Sequence, residues 1–396
     1  MKKILALFLA AATSFSLAAC SSSHASSSSA GSSSNSSTST SSASSSSAPQ
    51  NIKIGVSIWS DTDALGSACK KMLDAAGSAL GVKLVYINQG HESAAVDNSI
   101  NTLVAAGCNG IIVCNSADSE MTSAINTCDQ AHVYLAQFFR IISKTNSPQV
   151  YAQAQASPYY MGAVHEDEVT NGYNLATTLI QKGDRDIALE GWVAGDATFL
   201  NRWTGYKKAV DEWNAAHSSD KVKLSAPQYA GTTAEGGASV AKSFMNADPG
   251  LQGLIVAGGG GDPLVGSIGA IKDAGKTGKI HLVSTDFLPD LGTELQTGGM
   301  TAESGGHYCD PLYAFMMVYN AIRGKYQKPA NSFDEIINPY IYVSSTDDYN
   351  NYAKYFVNQL PYTTDELKTM ADESYADLQK TAAAISVKDV ETRHKS

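Results

Sequence analysis

The sequence has few cysteines, no basic run and no long apolar stretch. It contains 6 cysteines in 396 residues, a length that suggests two or three domains and excludes a small scaffold held together by disulfides. Lys plus Arg number 28 against 38 Asp plus Glu, for a formal charge of −10. This balance excludes binding to nucleic acid or to an anionic membrane by charge alone. No uninterrupted apolar stretch approaches the roughly 20 residues that a membrane span requires.

Motifs for catalysis and metal binding are also missing. The chain has no P-loop, no serine elbow, no HExxH and no CxxC pattern, and its histidines are scattered. The run Gly258–Gly261 superficially resembles a dinucleotide-binding loop. However, Pro263 or Leu264 stands where the third glycine is needed, and the run follows a late strand. We therefore predict that the protein is not an enzyme and needs no metal or cofactor.

The N-terminus has the layout of an export signal. Lys2 and Lys3 precede an apolar run, and a short cleavage region ends at Cys20. The ending Leu-Ala-Ala-Cys resembles a bacterial lipobox, which implies that residues 1–19 are removed and Cys20 is lipidated. Two acyl chains suffice for stable anchoring, so we predict an extracytoplasmic protein anchored to the cell membrane. The alternative is a secreted protein in which Cys20 only lies near the cleavage site.

Residues 20–50 follow as a tether. Ser21 to Ala48 are almost entirely Ser, Ala and Thr, a composition that cannot bury a core. A flexible coil of this length reaches roughly 30 Å. The folded part is therefore predicted to begin near Asn51, close to a membrane but free to rotate.

The five cysteines beyond Cys20 are predicted to be buried thiols. Cys108 and Cys114 bracket an apolar run, and a strand there holds them roughly 20 Å apart, too far for a disulfide. Their spacing fits no metal or redox pattern. Small apolar packing is favoured over a disulfide, which stays an open alternative.

Short apolar runs alternate with helical patterns from Asn51 to about Gly324. Four strands joined by helices up to Ala136 predict a parallel, doubly wound sheet. After an irregular stretch over 138–158, a helix over 160–181 is predicted to restart the same rhythm. The fold class is therefore α/β, with two similar lobes. Ligands of such sheets bind outside the carboxyl ends of the strands, so facing lobes define a cleft.

Aromatic, acidic and guanidinium side chains follow the predicted strands. Aromatic faces stack on apolar ring faces, and charged groups bond hydroxyls, so the mixture suits a polyhydroxylated ligand. Each residue also has a structural alternative: Asp262 before Pro263 is a good helix cap, the two arginines are possible surface ion-pair partners, and Phe138-Phe139 could pack between lobes. The predicted strand-end ligands are Trp59, Asp61, Asp63, Asn115, Phe139, Arg140, Trp192, Arg202, Asp262 and Asp286.

Taken in order, these stretches resemble the periplasmic sugar-binding proteins of ABC transporters, in the ribose-binding-like branch of the type I fold. The resemblance covers roughly Ile52 to Ala353. It implies two lobes joined by a three-crossover hinge that close on a sugar. The matching stretches are Ile111–Asp118, Arg140, Asp167–Gly172, Arg202–Tyr206, Ser284–Asp286, Tyr340–Val343 and Asp347–Tyr349.

The resemblance also implies roles for individual residues. By position, Asn115, Arg140, Arg202 and Asp286 hold sugar hydroxyls, and Asp61 occupies the first polar position. The aromatic pair usual in the first loop is missing, because Asp63-Ala64 stands there. The ligand set implied by the resemblance further includes Asp167 and Asp262, and the missing stacking face is assigned to Trp192, Trp203, Phe138 or His307.

These implications give a domain plan and a function. Lobe one is residues 51–162 with about 304–338, lobe two is 163–303 with about 339–353, and 354–396 form a C-terminal helical extension. The expected function is capture of a sugar-like molecule for an ABC importer, by a monomer that contacts the permease subunits. The alternative is a sensory protein whose closed form contacts a membrane receptor or sensor kinase.

Overall fold

The structure, a computed structural model, describes residues 51–90, 92–258 and 262–395. The export signal, Cys20 and the tether lie outside the described residues. No helix in the described ranges is long and apolar enough to cross a bilayer.

Within these ranges, two sheets organise the chain. Neighbouring strands in both sheets are parallel, apart from one antiparallel pair at the edge of the second sheet. The strands are β1 Lys53–Ile58, β2 Lys83–Asn88, β3 Gly110–Val113, β4 Tyr134–Phe138, β5 Tyr160–Glu166, β6 Asp186–Gly191, β7 Lys223–Leu224, β8 Gln228–Tyr229, β9 Gly253–Val256, β10 His281–Thr285, β11 Ala302–Gly305, β12 Asp334–Asn338 and β13 Ile341–Val343. The first sheet has the order β12-β5-β4-β3-β1-β2, and the second β13-β11-β10-β9-β6-β7 with β8 beside β6.

Helices cover the sheets, and several begin at capping side chains that the sequence supplies. Asp63 accepts from the backbone of Gly66, and Asp196 from that of Thr198. The helices are α1 Ala64–Leu80, α2 Ser93–Ala105, α3 Asp118–Ala131, α4 Pro148–Ala156, α5 Glu168–Lys182, α6 Ala197–Ala216, α7 Ala234–Ala247, α8 Asp262–Asp273, α9 Leu291–Thr297, α10 Asp310–Ile322, α11 Thr346–Tyr352, α12 Thr364–Met370, α13 Tyr375–Ala384 and α14 Val387–His394.

The chain passes between the two sheets at three places. It leaves the first sheet after β5, returns after β11, and crosses again between β12 and β13. The predicted fold class, two doubly wound lobes joined by a three-crossover hinge, is confirmed.

Two local predictions are wrong. The predicted helix over 160–181 is strand β5 followed by helix α5, and the irregular stretch over 138–158 contains helix α4. Strand β5 is buried along almost its whole length, so it lacks the apolar–polar alternation that marks a half-buried strand. As a consequence, the first sheet extends to Glu166, four residues beyond the predicted limit of lobe one at 162.

The C-terminal segment packs on lobe one. The hydroxyl groups of Tyr313 and Tyr362 are 2.6 Å apart in the core, and Tyr308 donates to the carbonyl of Phe356 at 2.8 Å. Helix α12 packs on α1, and α13 on strand β12. The five cysteines of the described residues are buried and unpaired, which confirms that prediction.

Candidate functional site

A cavity of about 240 Å³ lies where the carboxyl ends of the two sheets face each other. This is slightly below the roughly 300 Å³ at the small end of drug-sized pockets, so it suits a molecule of about one ring. Its walls come from loops after β1, β4, β6 and β10 and from all three crossovers. The cavity is therefore built by both lobes and by the hinge.

Aromatic rings form a continuous series from lobe one into the hinge. Trp59 and Phe139 have ring centroids 5.7 Å apart, Phe139 and His307 5.1 Å, and His307 and Tyr340 4.9 Å. On lobe two, Trp192 meets Phe199 edge-on at 5.0 Å. The cavity thus offers ring faces from both sides to an apolar ligand surface.

Two lining residues adopt a backbone conformation that side-chain-bearing residues rarely take. Phe139 has φ 59° and Asp286 has φ 75°. Each is the first residue after a parallel strand, Phe139 after β4 and Asp286 after β10. Such strain concentrates at sites where side-chain placement matters more than local stability.

Arg202 is held by an extensive set of buried partners. Its Nε and Nη2 donate to the two Glu168 oxygens at 2.6 and 2.9 Å, its Nη1 to the Ala257 carbonyl at 2.8 Å, and its Nη2 to the Tyr340 hydroxyl at 2.9 Å. Burial alone lowers the pKa of Arg202, but Glu168 raises it well above its usual value. One of the five guanidinium N–H groups is left for a ligand.

Gly258 makes the position of Arg202 possible. Its φ is 109°, and a Cβ there would overlap Nη1 of Arg202. A glycine is therefore required at this strand end by both the backbone conformation and the close approach.

A second buried cluster lies at the hinge. His307 Nε2 is 3.0 Å from Asp286 Oδ1 and 3.9 Å from Glu166 Oε1. Burial alone lowers the pKa of His307, but Glu166 and Asp286 outweigh it and the pKa is raised. Burial and the neighbouring Asp310 raise the pKa of Glu166 well above its usual range, and burial raises that of Asp310 to about 8. The neighbouring carboxylates therefore favour the protonated form of His307, and burial favours the protonated forms of Glu166 and Asp310.

One ion pair joins the lobes directly across the cavity. Arg140 Nη2, on the loop after β4, lies 3.4 Å from Asp196 Oδ2 on lobe two. Asp196 also caps α6 through its other oxygen. Arg140 therefore contacts both sides of the cleft.

Most of the predicted site residues line this cavity, and three lie outside the lining. Asp61 accepts from Asn88, Asn115 is buried between Gln137 and its own loop, and Asp167 caps helix α5. Of the proposed stacking residues, Phe138 is core and Trp203 packs on Tyr229. The predicted residues that line the cavity are Trp59, Asp63, Phe139, Arg140, Trp192, Arg202, Asp262, Asp286 and His307.

Sequence reasoning missed Glu166, Glu168, Phe199 and Tyr340 as lining residues. The two glutamates flank the first crossover, and the prediction of one continuous helix over 160–181 left no crossover at that place. The signal that could have found them is Asp167, whose side chain accepts from the Thr170 backbone at 2.9 Å and so starts a helix at Glu168.

The sequence profile described as periplasmic binding protein domain matches residues 54–325, more than half of the chain. The chain belongs to this family. Its members are binding proteins, so the prediction that this binding protein is not an enzyme is confirmed. Among the described residues, no group of three or more His, Cys, Asp or Glu side chains is placed to hold a metal ion.

Solved structures share the fold of this binding protein. An ABC transporter periplasmic solute-binding protein from Actinobacillus succinogenes with bound D-allose matches at TM-score 0.65 and 17% identity, over 76% of this chain and 100% of that one. One from Agrobacterium vitis with alpha-D-tagatopyranose matches at 0.66 and 16%, over 78% and 99%. One from Bacillus halodurans with myo-inositol matches at 0.62 and 16%, over 77% and 98%. A search of curated protein sequences gives no significant match.

Proposed function

We propose that this protein is the solute-binding component of an ABC importer and captures a sugar or sugar-like molecule between its lobes. The observation that carries the proposal is the cavity itself. Both lobes and the hinge line it with ring faces, carboxylates and guanidinium groups, the mixture that a polyhydroxylated ligand needs. The family and the sugars bound by structural neighbours support the same ligand class.

Closure of the lobes is the proposed mechanism. A ligand that contacts Trp59 and Trp192 at once touches both lobes only in the closed arrangement, so its binding energy favours that arrangement. The Arg140–Asp196 pair spans the same gap. The transporter then recognises the closed form, presented near the membrane by a lipid on Cys20 and the serine-rich tether.

A thermal-shift screen over pentoses, hexoses, polyols, nucleosides and short oligosaccharides tests the ligand class. A ligand at 100 times its dissociation constant stabilises by about 2.7 kcal/mol, which is readily detected. Uptake of the hit compound in a strain lacking the protein tests the importer role. Loss of uptake supports it, whereas intact uptake with a lost transcriptional response contradicts it and indicates sensing.

A Cys20→Ala variant tests the anchor. The variant is expected in the medium or in the soluble extracytoplasmic fraction, and the wild type in the membrane fraction. Equal membrane association of the two contradicts lipid anchoring.

A further inference from the structure

The three basic side chains that line the cavity each lie beside a carboxylate. The separations range from 2.6 to 3.4 Å. A cation in such a pair has little charge left to neutralise another group. The pairs are Arg202 with Glu168, Arg140 with Asp196, and His307 with Asp286.

Three further carboxyl groups line the cavity outside these pairs: Glu166, which lies 3.9 Å from His307, and Asp63 and Asp262, which do not lie beside a basic side chain in the part of the chain that the structure describes. Asp63 accepts from neutral donors, the Gly66 backbone at 2.7 Å and the Trp59 indole at 2.5 Å. Asp262 opens helix α8 on the opposite lobe and is exposed. Over residues 51–90, 92–258 and 262–395, neither carboxylate lies within ion-pair distance of a lysine, arginine or histidine. Asp63 and Asp262 therefore give the cavity two carboxylates, one from each lobe, that no basic side chain of the described residues offsets.

The aromatic rings that line the cavity also favour a positively charged ligand. Trp59 is bonded to Asp63 and lies beside Phe139, and Trp192 lines the opposite wall. Tryptophan faces attract cations more strongly than other aromatic rings. Carboxylates and ring faces together suit a polar molecule that carries a positive charge and repel a sugar phosphate.

We propose that the ligand carries a protonated amine, held between Asp63 and Asp262, and is an amino sugar or a similar polyhydroxylated amine of about one ring. This inference rests on the proposed function, capture of a small molecule in the cleft. The amine also favours closure, because it contacts Asp63 on one lobe and Asp262 on the other only in the closed arrangement.

Isothermal titration calorimetry with matched compounds tests the inference. The pairs are D-glucosamine with N-acetyl-D-glucosamine and D-galactosamine with N-acetyl-D-galactosamine, together with the parent hexoses, at pH 6, where a primary amine is protonated. We expect the amine to bind at least about tenfold more tightly than its neutral partner. Raising the salt concentration should reduce the difference in affinity between the amine and its neutral partner.

Variants of Asp262 and Asp63 test whether these two carboxylates cause the preference for an amine. Asp262→Asn should weaken amine binding about tenfold and weaken binding of the neutral partner much less, so that the preference for the amine is lost. Asp273→Asn removes the same charge from the exposed far end of the same helix and should change neither. Asp63→Asn, checked for folding by circular dichroism because Asp63 caps α1, should act as Asp262→Asn does.

The outcomes separate the two proposals. Neutral sugars that bind as tightly as their amines overturn the cationic ligand and leave sugar capture standing. An amine preference unchanged by both Asp262→Asn and Asp63→Asn overturns the assigned carboxylates. If no cationic or neutral compound binds, in this set or in the wider sugar screen, sugar capture fails and the amine inference with it.

Discussion

Replacing Arg202 with methionine tests whether the buried pair with Glu168 organises the cleft. The Arg202 and Glu168 side chains are 4% and 10% exposed, so the change leaves a carboxylate in the interior with the Tyr340 hydroxyl as its remaining partner. Removing one member of a buried pair typically costs about 3–5 kcal/mol. That is a large part of the roughly 5–15 kcal/mol by which domains are stable. Urea denaturation followed by circular dichroism measures the free energy of unfolding.

Arg185 supplies the matched control. It forms the same two-pronged contact with Asp220, at 2.7 and 2.8 Å, but on the surface. Arg185→Met should therefore cost at most about 1 kcal/mol. The double variant Arg202→Met with Glu168→Leu removes both buried charges and should recover most of the loss. An equal cost of Arg202→Met and Arg185→Met would contradict a stabilising role for the buried pair.

Three further predictions concern pH, lobe contact and the C-terminal segment. Burial raises the pKa of Glu190 to about 8, so the folded state keeps a proton that the unfolded state releases near pH 4.5. Stability should fall as the pH rises from about 5 to 8, and urea titrations of Glu190→Gln should show a smaller fall, with the remainder due to Asp310 and Glu166. Arg140→Gln removes the pair with Asp196 across the cleft and should weaken ligand binding about two- to fivefold in calorimetry, with less salt dependence than the wild type. Tyr362→Phe strands the buried Tyr313 hydroxyl and should lower the free energy of unfolding by about 1–3 kcal/mol in urea; no change would contradict its place in the core.

The fold could be predicted where the local pattern and the packing agree. Helix α1 has its buried residues at helical spacing and ends at Gly81, whose φ of 68° needs a glycine. Strand β5 could not be predicted in the same way. It is buried along nearly its full length because β4 and β12 flank it in the sheet and helix α10 packs on it. Its first five residues therefore include no polar residue that alternates with apolar ones, and such a run does not distinguish a strand from a helix.

The residues of the site also fall into those that the sequence predicts and those that it does not. Trp59, Phe139 and Asp286 could be found because each follows a parallel strand, and the carboxyl ends of such strands meet at one edge. The pairing of Arg202 with Glu168 could not be predicted, because Glu168 lies 34 residues earlier in the chain and contacts Arg202 only in the folded protein. The sequence therefore indicated which side chains reach the cavity, while the pairings that set its charge required the structure.

Calorimetric titration of a Trp192→Ala variant tests whether the ligand binds between the lobes. Trp192 lines the cavity, whereas Trp213 stacks on His217 elsewhere on lobe two and serves as the control. With the best compound from the sugar and amine screens, Trp192→Ala should lose about 0.5–1.5 kcal/mol of binding free energy or more, and Trp213→Ala none. Equal affinity of the wild type and both variants would contradict binding between the lobes.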